Sequence, residues 1–177
     1  TSGIVSATGG NFSGTVTATK FSGDGSGLTG VSTNTHLDSN NNVAVGGVVS
    51  ATYAVAIGFE ALKSNTSGAK NSAIGYSSLA SNTTANGNSA LGYLSLKSNT
   101  TGGENTAIGA SSLKTNTTGY HNVAVGRGAL KDNITGSKNV AIGTETLEDN
   151  QSSSEHTAVG YRALYNNTTG QKNTAIG

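Results

Sequence analysis

The chain has 177 residues, 33% of them hydrophobic and 11% charged, with a formal net charge of +1. That apolar share is below the roughly 45–50% usual for globular domains, so a conventional two-layer core is not expected. So few charges also argue against a charged disordered tail and against the basic face that nucleic-acid binding needs.

Cys is absent, which removes disulfides, zinc–thiolate sites and thiol catalysis together. No apolar run approaches the roughly 18 residues of a membrane span, so no membrane insertion is expected. Pro is absent too. Pro cannot donate to a backbone ladder, and a chain that pairs its backbone along its whole length has reason to exclude it. The chain starts at Thr1, holds no Met and stops at Gly177 within a repeat, which reads as an excised segment or a processed product.

Residues 1–40 have a rhythm of their own. GIVSATGGNFSG and GTVTATKFSG are two imperfect copies in which β-branched and small polar residues alternate, predicting short strands of a fibre segment. SGDGSGLTGV follows as a Gly-rich connector, and VSTNTHLDSNNN leads out of it. Gly25, Gly27 and Gly30 match the spacing G-x-G-x-x-G, but no helical periodicity follows, so a turn is expected there rather than a dinucleotide site. A domain boundary is placed near Asn40.

From 41 to 177 one sentence is written again and again. The Gly of Ala-(Ile/Val/Leu)-Gly stands at 58, 75, 92, 109, 126, 143, 160 and 177, always 17 residues apart. Leu62, Leu79, Leu96, Leu113, Leu130, Leu147 and Leu164 keep the same interval. Asn keeps it at 65, 82, 99, 116, 133, 150 and 167, and again at 71, 88, 105, 122, 139 and 173, with His156 standing in once. An earlier Ala44-Val45-Gly46 lies only 12 residues before Gly58, as an atypical first coil would.

Seventeen residues are too few for a two-helix repeat of about 33–34. Asn-Thr-Thr-Gly is a turn sequence, since Asn tolerates left-handed backbone and Gly takes positive φ freely. The fold expected is all-β: a β-solenoid or β-roll, one repeat per coil, each short strand pairing with its equivalents about 4.8 Å above and below. The thin apolar content per coil suggests that chains also pack against one another, as a symmetric trimer. Ile57, Ile74, Leu91, Ile108, Val125, Ile142 and Val159 are expected to point into the coil with the Leu column. The small Ala is then expected to face a close neighbour, the reverse assignment remaining open. Stacked Asn side chains are expected to form amide ladders, with His156 a tolerated substitution.

Two surface columns are candidate binding sites. Phe59, Tyr76 and Tyr93 are equivalent positions in consecutive coils, rejoined by Tyr161. Aromatic rings there suit either a sugar face or a neighbouring chain. Lys97, Lys114 and Lys131 also stack. Like charges about 5 Å apart in water repel by roughly 1 kcal/mol or less, so such a column is tolerable if exposed, as a solubilising face or as a partner for an anionic glycan. Glu145, Glu148 and Asp149 fall in one coil, but a solvated loop with Glu148 above Lys131 explains them better than an acid pair for glycan cleavage. His36, His121 and His156 lack the spacing of a metal site. No catalytic residue, cofactor or metal is expected. Asn65, Asn82, Asn99 and Asn116 each begin an Asn-x-(Ser/Thr) sequon, which the turn explains without sugar.

The pattern in NSAIG (71–75), NTAIG (105–109) and NVAIG (139–143) resembles the head repeats of trimeric autotransporter adhesins. The longer unit around ALYNNTTG (163–170) resembles repeats of phage tail-fibre proteins, and ATKFSGDGSGLTGV (18–31) is similar to segments of marine phage fibres. The resemblance implies a homotrimeric, left-handed β-roll that attaches to a surface, although the adhesin unit is usually shorter than 17. The function expected is a structural and adhesive segment of an extracellular homotrimeric fibre, a virion tail fibre or a cell-surface appendage. Its partners would be copies of itself and a host cell-surface glycan or protein. A bacterial adhesin head, a self-assembling filament, an ice-binding solenoid and a glycan depolymerase are the alternatives.

Overall fold

The computed structural model describes the backbone strands at 36–37 and 43–45 and the whole of residues 52–177. The N-terminal strand copies, the glycine motif at 25–30 and the boundary near Asn40 lie outside the described residues. The first two strands are β1 (His36–Leu37) and β2 (Val43–Val45). One three-residue strand per repeat follows: β3 (Val55–Ile57), β4 (Ser72–Ile74), β5 (Ser89–Leu91), β6 (Thr106–Ile108), β7 (Val123–Val125), β8 (Val140–Ile142), β9 (Thr157–Val159) and β10 (Thr174–Ile176).

They form one sheet in chain order. β1 meets β2 antiparallel, and every later pair is parallel. Register is kept without slippage: Ala73 lies against Ala90, and Ala90 against Ala107. The short first interval also pairs, Ala44 lying against Ala56. The molecule from β3 onward is a β-solenoid of 17-residue coils.

Coils are tied together outside the strands as well. Leu79 N–H donates to Ser95 O (3.1 Å), Ser81 N–H to Lys97 O (3.0 Å) and Thr83 N–H to Thr100 O (3.1 Å). Tight turns follow the strand: Ser78 N–H returns to Gly75 O (3.4 Å), and Asn82 N–H to Leu79 O (3.1 Å). The expected Asn-Thr-Thr-Gly turn is instead an open bend at its two middle residues. Its closing bond comes from the Asn side chain, as Asn99 Nδ2 donates to Gly102 O at 2.8 Å.

The strand-end glycines cannot be replaced. Gly109 sits at φ +129°, and a Cβ there would lie 2.5 Å from Gly126 O. Both the backbone angle and the spacing to the next coil demand glycine. The Leu column is also left-handed, with Leu113 at φ +48°. For a residue with a Cβ this costs roughly 1–2 kcal/mol, and the fully buried side chain offsets it.

The coil interior corrects one expectation. Leu62, Leu79, Leu96, Leu113, Leu130 and Leu147 are fully buried, and Leu164 partly so, as expected. Ala56, Ala73, Ala107, Ala124, Ala141 and Ala158 are also fully buried, and the bulky residues beside them turn outward. Ile57, Val125 and Val159 are half-buried, while Ile74, Leu91, Ile108 and Ile142 are exposed. The reverse assignment is the one adopted. Successive strand residues face opposite sides, and the space opposite the Leu column, already narrowed by two columns of Asn, admits a methyl group but not an isoleucine.

Candidate functional site

The amides fill the rest of the interior. In the first Asn column each Nδ2 donates to the Oδ1 one coil earlier: Asn82 to Asn65 at 2.7 Å, Asn99 to Asn82 at 3.1 Å, Asn116 to Asn99 at 2.8 Å, Asn133 to Asn116 at 2.8 Å and Asn150 to Asn133 at 3.1 Å. In the second column each Oδ1 accepts the backbone N–H of the next equivalent, as Asn71 does from Asn88 at 2.9 Å and Asn88 from Asn105 at 2.9 Å. The sequon residues Asn65, Asn82, Asn99 and Asn116 are thus buried, with their amide nitrogens engaged. A glycan could be attached only by dismantling the ladder.

His156 takes the amide's place in the second column. Its N–H donates to Asn139 Oδ1 (3.0 Å), and its Nδ1 lies 3.2 Å from the Asn173 N–H. Nε2 lies 3.1 Å from Asn167 Nδ2. Asn167 is thereby drawn away from the first column, and Asn150 Oδ1 is buried without a partner. Burial also pushes the imidazole pKa down, the Gly170 carbonyl acting in the opposite sense.

On the outer surface the first three candidate aromatics stack. Phe59 and Tyr76 have centroids 5.4 Å apart at 21°, and Tyr76 and Tyr93 5.6 Å apart at 26°. All three are exposed. Because they cover one another's faces, they offer ring edges to solvent, and a flat sugar cannot lie on the middle ring. Tyr161 is not joined to them, since Ala110, Arg127 and Thr144 occupy the same position in the coils between. Its own neighbour is the Arg162 guanidinium, 5.2 Å from the ring centroid.

The lysine column is not uniform. Lys97 and Lys114 form no ion pair among the described residues, whereas Lys131 Nζ lies 2.7 Å from Glu148 Oε1 and 3.7 Å from Asp132 Oδ2. The Glu148 partner, with its hydrogen bond first, raises the Lys131 pKa. Glu148 does stand above Lys131, but it is buried rather than solvated. Glu145 is buried too and is held from both sides, by Arg127 one coil earlier and by Arg162 Nε one coil later at 2.6 Å. Arg162 first, then Arg127, hold its carboxyl below the ordinary value. Both carboxylates are therefore committed to ion pairs. The sequence does carry a signal for this arginine clamp, a cation about one coil to either side of Glu145.

Exposed His121 pairs with Glu104 at 2.9 Å. Among the described residues no group of three or more His, Asp or Glu could hold a metal ion, and no helix is long and apolar enough to cross a membrane. The first Thr column spends its hydroxyls internally, as Thr100 Oγ1 does on Thr117 O (3.0 Å).

These features define the class: a parallel, in-register β-solenoid whose surface is ruled into columns one residue wide. No family model, curated protein or solved structure matches the chain.

Proposed function

We propose that the array is a structural and adhesive segment of a homotrimeric extracellular fibre, such as a virion tail fibre, holding many weak attachment points along a rigid rod. The observation that supports this is the outward aliphatic column. Ile74, Leu91, Ile108 and Ile142 are 38–47% exposed in the single chain. They repeat at the same position of successive strands, beside the aromatic column. Scattered surface aliphatics need no explanation, but a continuous apolar strip marks an interface. Three chains joined along this strip, wound left-handed as the resemblance implies, form a second core that the thin coil interior lacks. Repeated contacts along such a rod let avidity replace affinity. A bacterial adhesin head would use the same architecture in a different setting.

Sedimentation velocity tests the reading. The chain is expected to run as a trimer, and Ile108→Glu to release monomer because a carboxylate would be buried unpaired. A folded, stable monomer of the unaltered chain at micromolar concentration would count decisively against the fibre.

A further inference from the structure

The aromatic column has an unfilled rung. Along it stand Phe59, Tyr76, Tyr93, Ala110 and Arg127, one per coil. The first three rings are stacked 5.4 and 5.6 Å apart. A fourth ring would lie over Ala110, where there is only a methyl group. Tyr93 ends the stack, is 56% exposed, and among the described residues stacks with no other ring on its far side. On the far side of the gap stands Arg127, two coils from Tyr93 and so about 9.6 Å away at the backbone. That is room for one ring between the Tyr93 face and the Arg127 side chain, whose guanidinium is held by Glu145 of the following coil.

We propose that this rung is a subsite for a pyranose that carries a carboxylate, such as a uronic acid residue of a surface polysaccharide. The proposal rests on the attachment reading and supplies the ligand class for it. A pyranose has an apolar C–H face and a rim of hydroxyls. The face suits Tyr93, and the rim stays in water at a rung open on its outer side. The cation is Arg127 of the arginine clamp. The cluster as a whole is balanced, since Lys131 beside it meets both Glu148 and Asp132, so selectivity rests on the hydrogen-bond donors that Arg127 has left. Arg127 keeps 64% of its side chain exposed, and its planar fork has donors left for a second carboxylate.

Binding of a glucuronic-acid oligosaccharide and of a neutral glucose oligosaccharide of equal length can be followed by NMR of the Tyr93 ring. The acidic oligosaccharide is expected to shift the ring signals and the neutral one to bind at least tenfold more weakly, a factor typical of a lost charge-assisted hydrogen bond. Arg127→Gln should erase that preference. Ala110→Tyr places a fourth ring in the rung at a position that accepts Tyr in three other coils, so it should abolish binding without unfolding the chain. Undiminished binding to Ala110→Tyr, or no binding of either sugar to the unaltered chain, overturns the proposal. Sedimentation of the same samples keeps the two readings apart: a trimer that ignores the acidic sugar sinks the subsite alone, and a monomer that binds it sinks the fibre alone.

Discussion

Four positions per coil carry left-handed conformations that most side chains avoid, and two of them, the strand-end Gly and the Leu, differ in how they can be changed. Gly109 lacks any alternative: at φ +129°, with the next coil's carbonyl 2.5 Å from where a Cβ would sit, Gly109→Ala should lose about 3 kcal/mol or more, read as a fall in urea midpoint. Leu113 is strained but buried, and truncation to Ala keeps the Cβ that causes the strain while losing the buried side chain. Leu113→Ala should destabilise by roughly 2–5 kcal/mol in the same assay. The first requirement was legible, because a Gly at every seventeenth position announces a backbone demand. The second was not, since Leu is no marker of left-handed backbone. A hint lay two columns away: Gly128 and Gly87 replace ordinary residues at other left-handed positions, φ +69° and +71°. The outward turn of Ile108 was also hidden. A three-residue strand alternates faces, but sequence alone does not say which face is the narrow one.

Within a single coil, the ladder explains more of the packing than the hydrocarbon does. Both Asn columns were readable from spacing, and the structure shows the stacked amides expected of them. What spacing could not reveal was the cost of His156. A neutral imidazole can accept a proton at one nitrogen only, yet the Asn173 N–H and the Asn167 amide both approach it. His156→Asn should return Asn167 to the first column, satisfy Asn150 Oδ1 and stabilise the array by about 1 kcal/mol. The substitution has a pH signature. The native pKa is depressed, so the unfolded chain binds the proton more tightly. The histidine's contribution is complete above its unfolded pKa of about 6.5 and is lost as pH falls through the lower native value. Urea midpoints measured at falling pH should therefore decline more in the native chain than in His156→Asn. Equal slopes would show that the ring binds its proton as readily in the fold as in the unfolded chain.

At the level of the whole molecule, the unit is the coil rather than the chain. Hydrogen bonds run from each coil to the next at constant register, so stability is a sum of near-identical interfaces. Removing residues 110–126, one full period, should leave a shorter solenoid with an unchanged far-ultraviolet spectrum. Removing Ala110 alone should lower the urea midpoint, because the one coil it shortens can no longer keep all its columns in register with the coils on either side. The solenoid itself was legible from seven equal intervals. The surface was legible only as a list of positions: the lysines and aromatics could be aligned, but the stacking that hides ring faces and the clamp that occupies Glu145 depend on side-chain geometry that no spacing encodes.

The amide ladder also gives the rod a sense of direction. From Asn82 to Asn150 each Nδ2 in the first column points back to the Oδ1 of the earlier coil. Along this column a coil severed between those residues would expose amide donors on one cut surface and amide acceptors on the other. Two such ends can heal head to tail and in no other way, so a filament joined from these pieces would keep a single polarity from end to end.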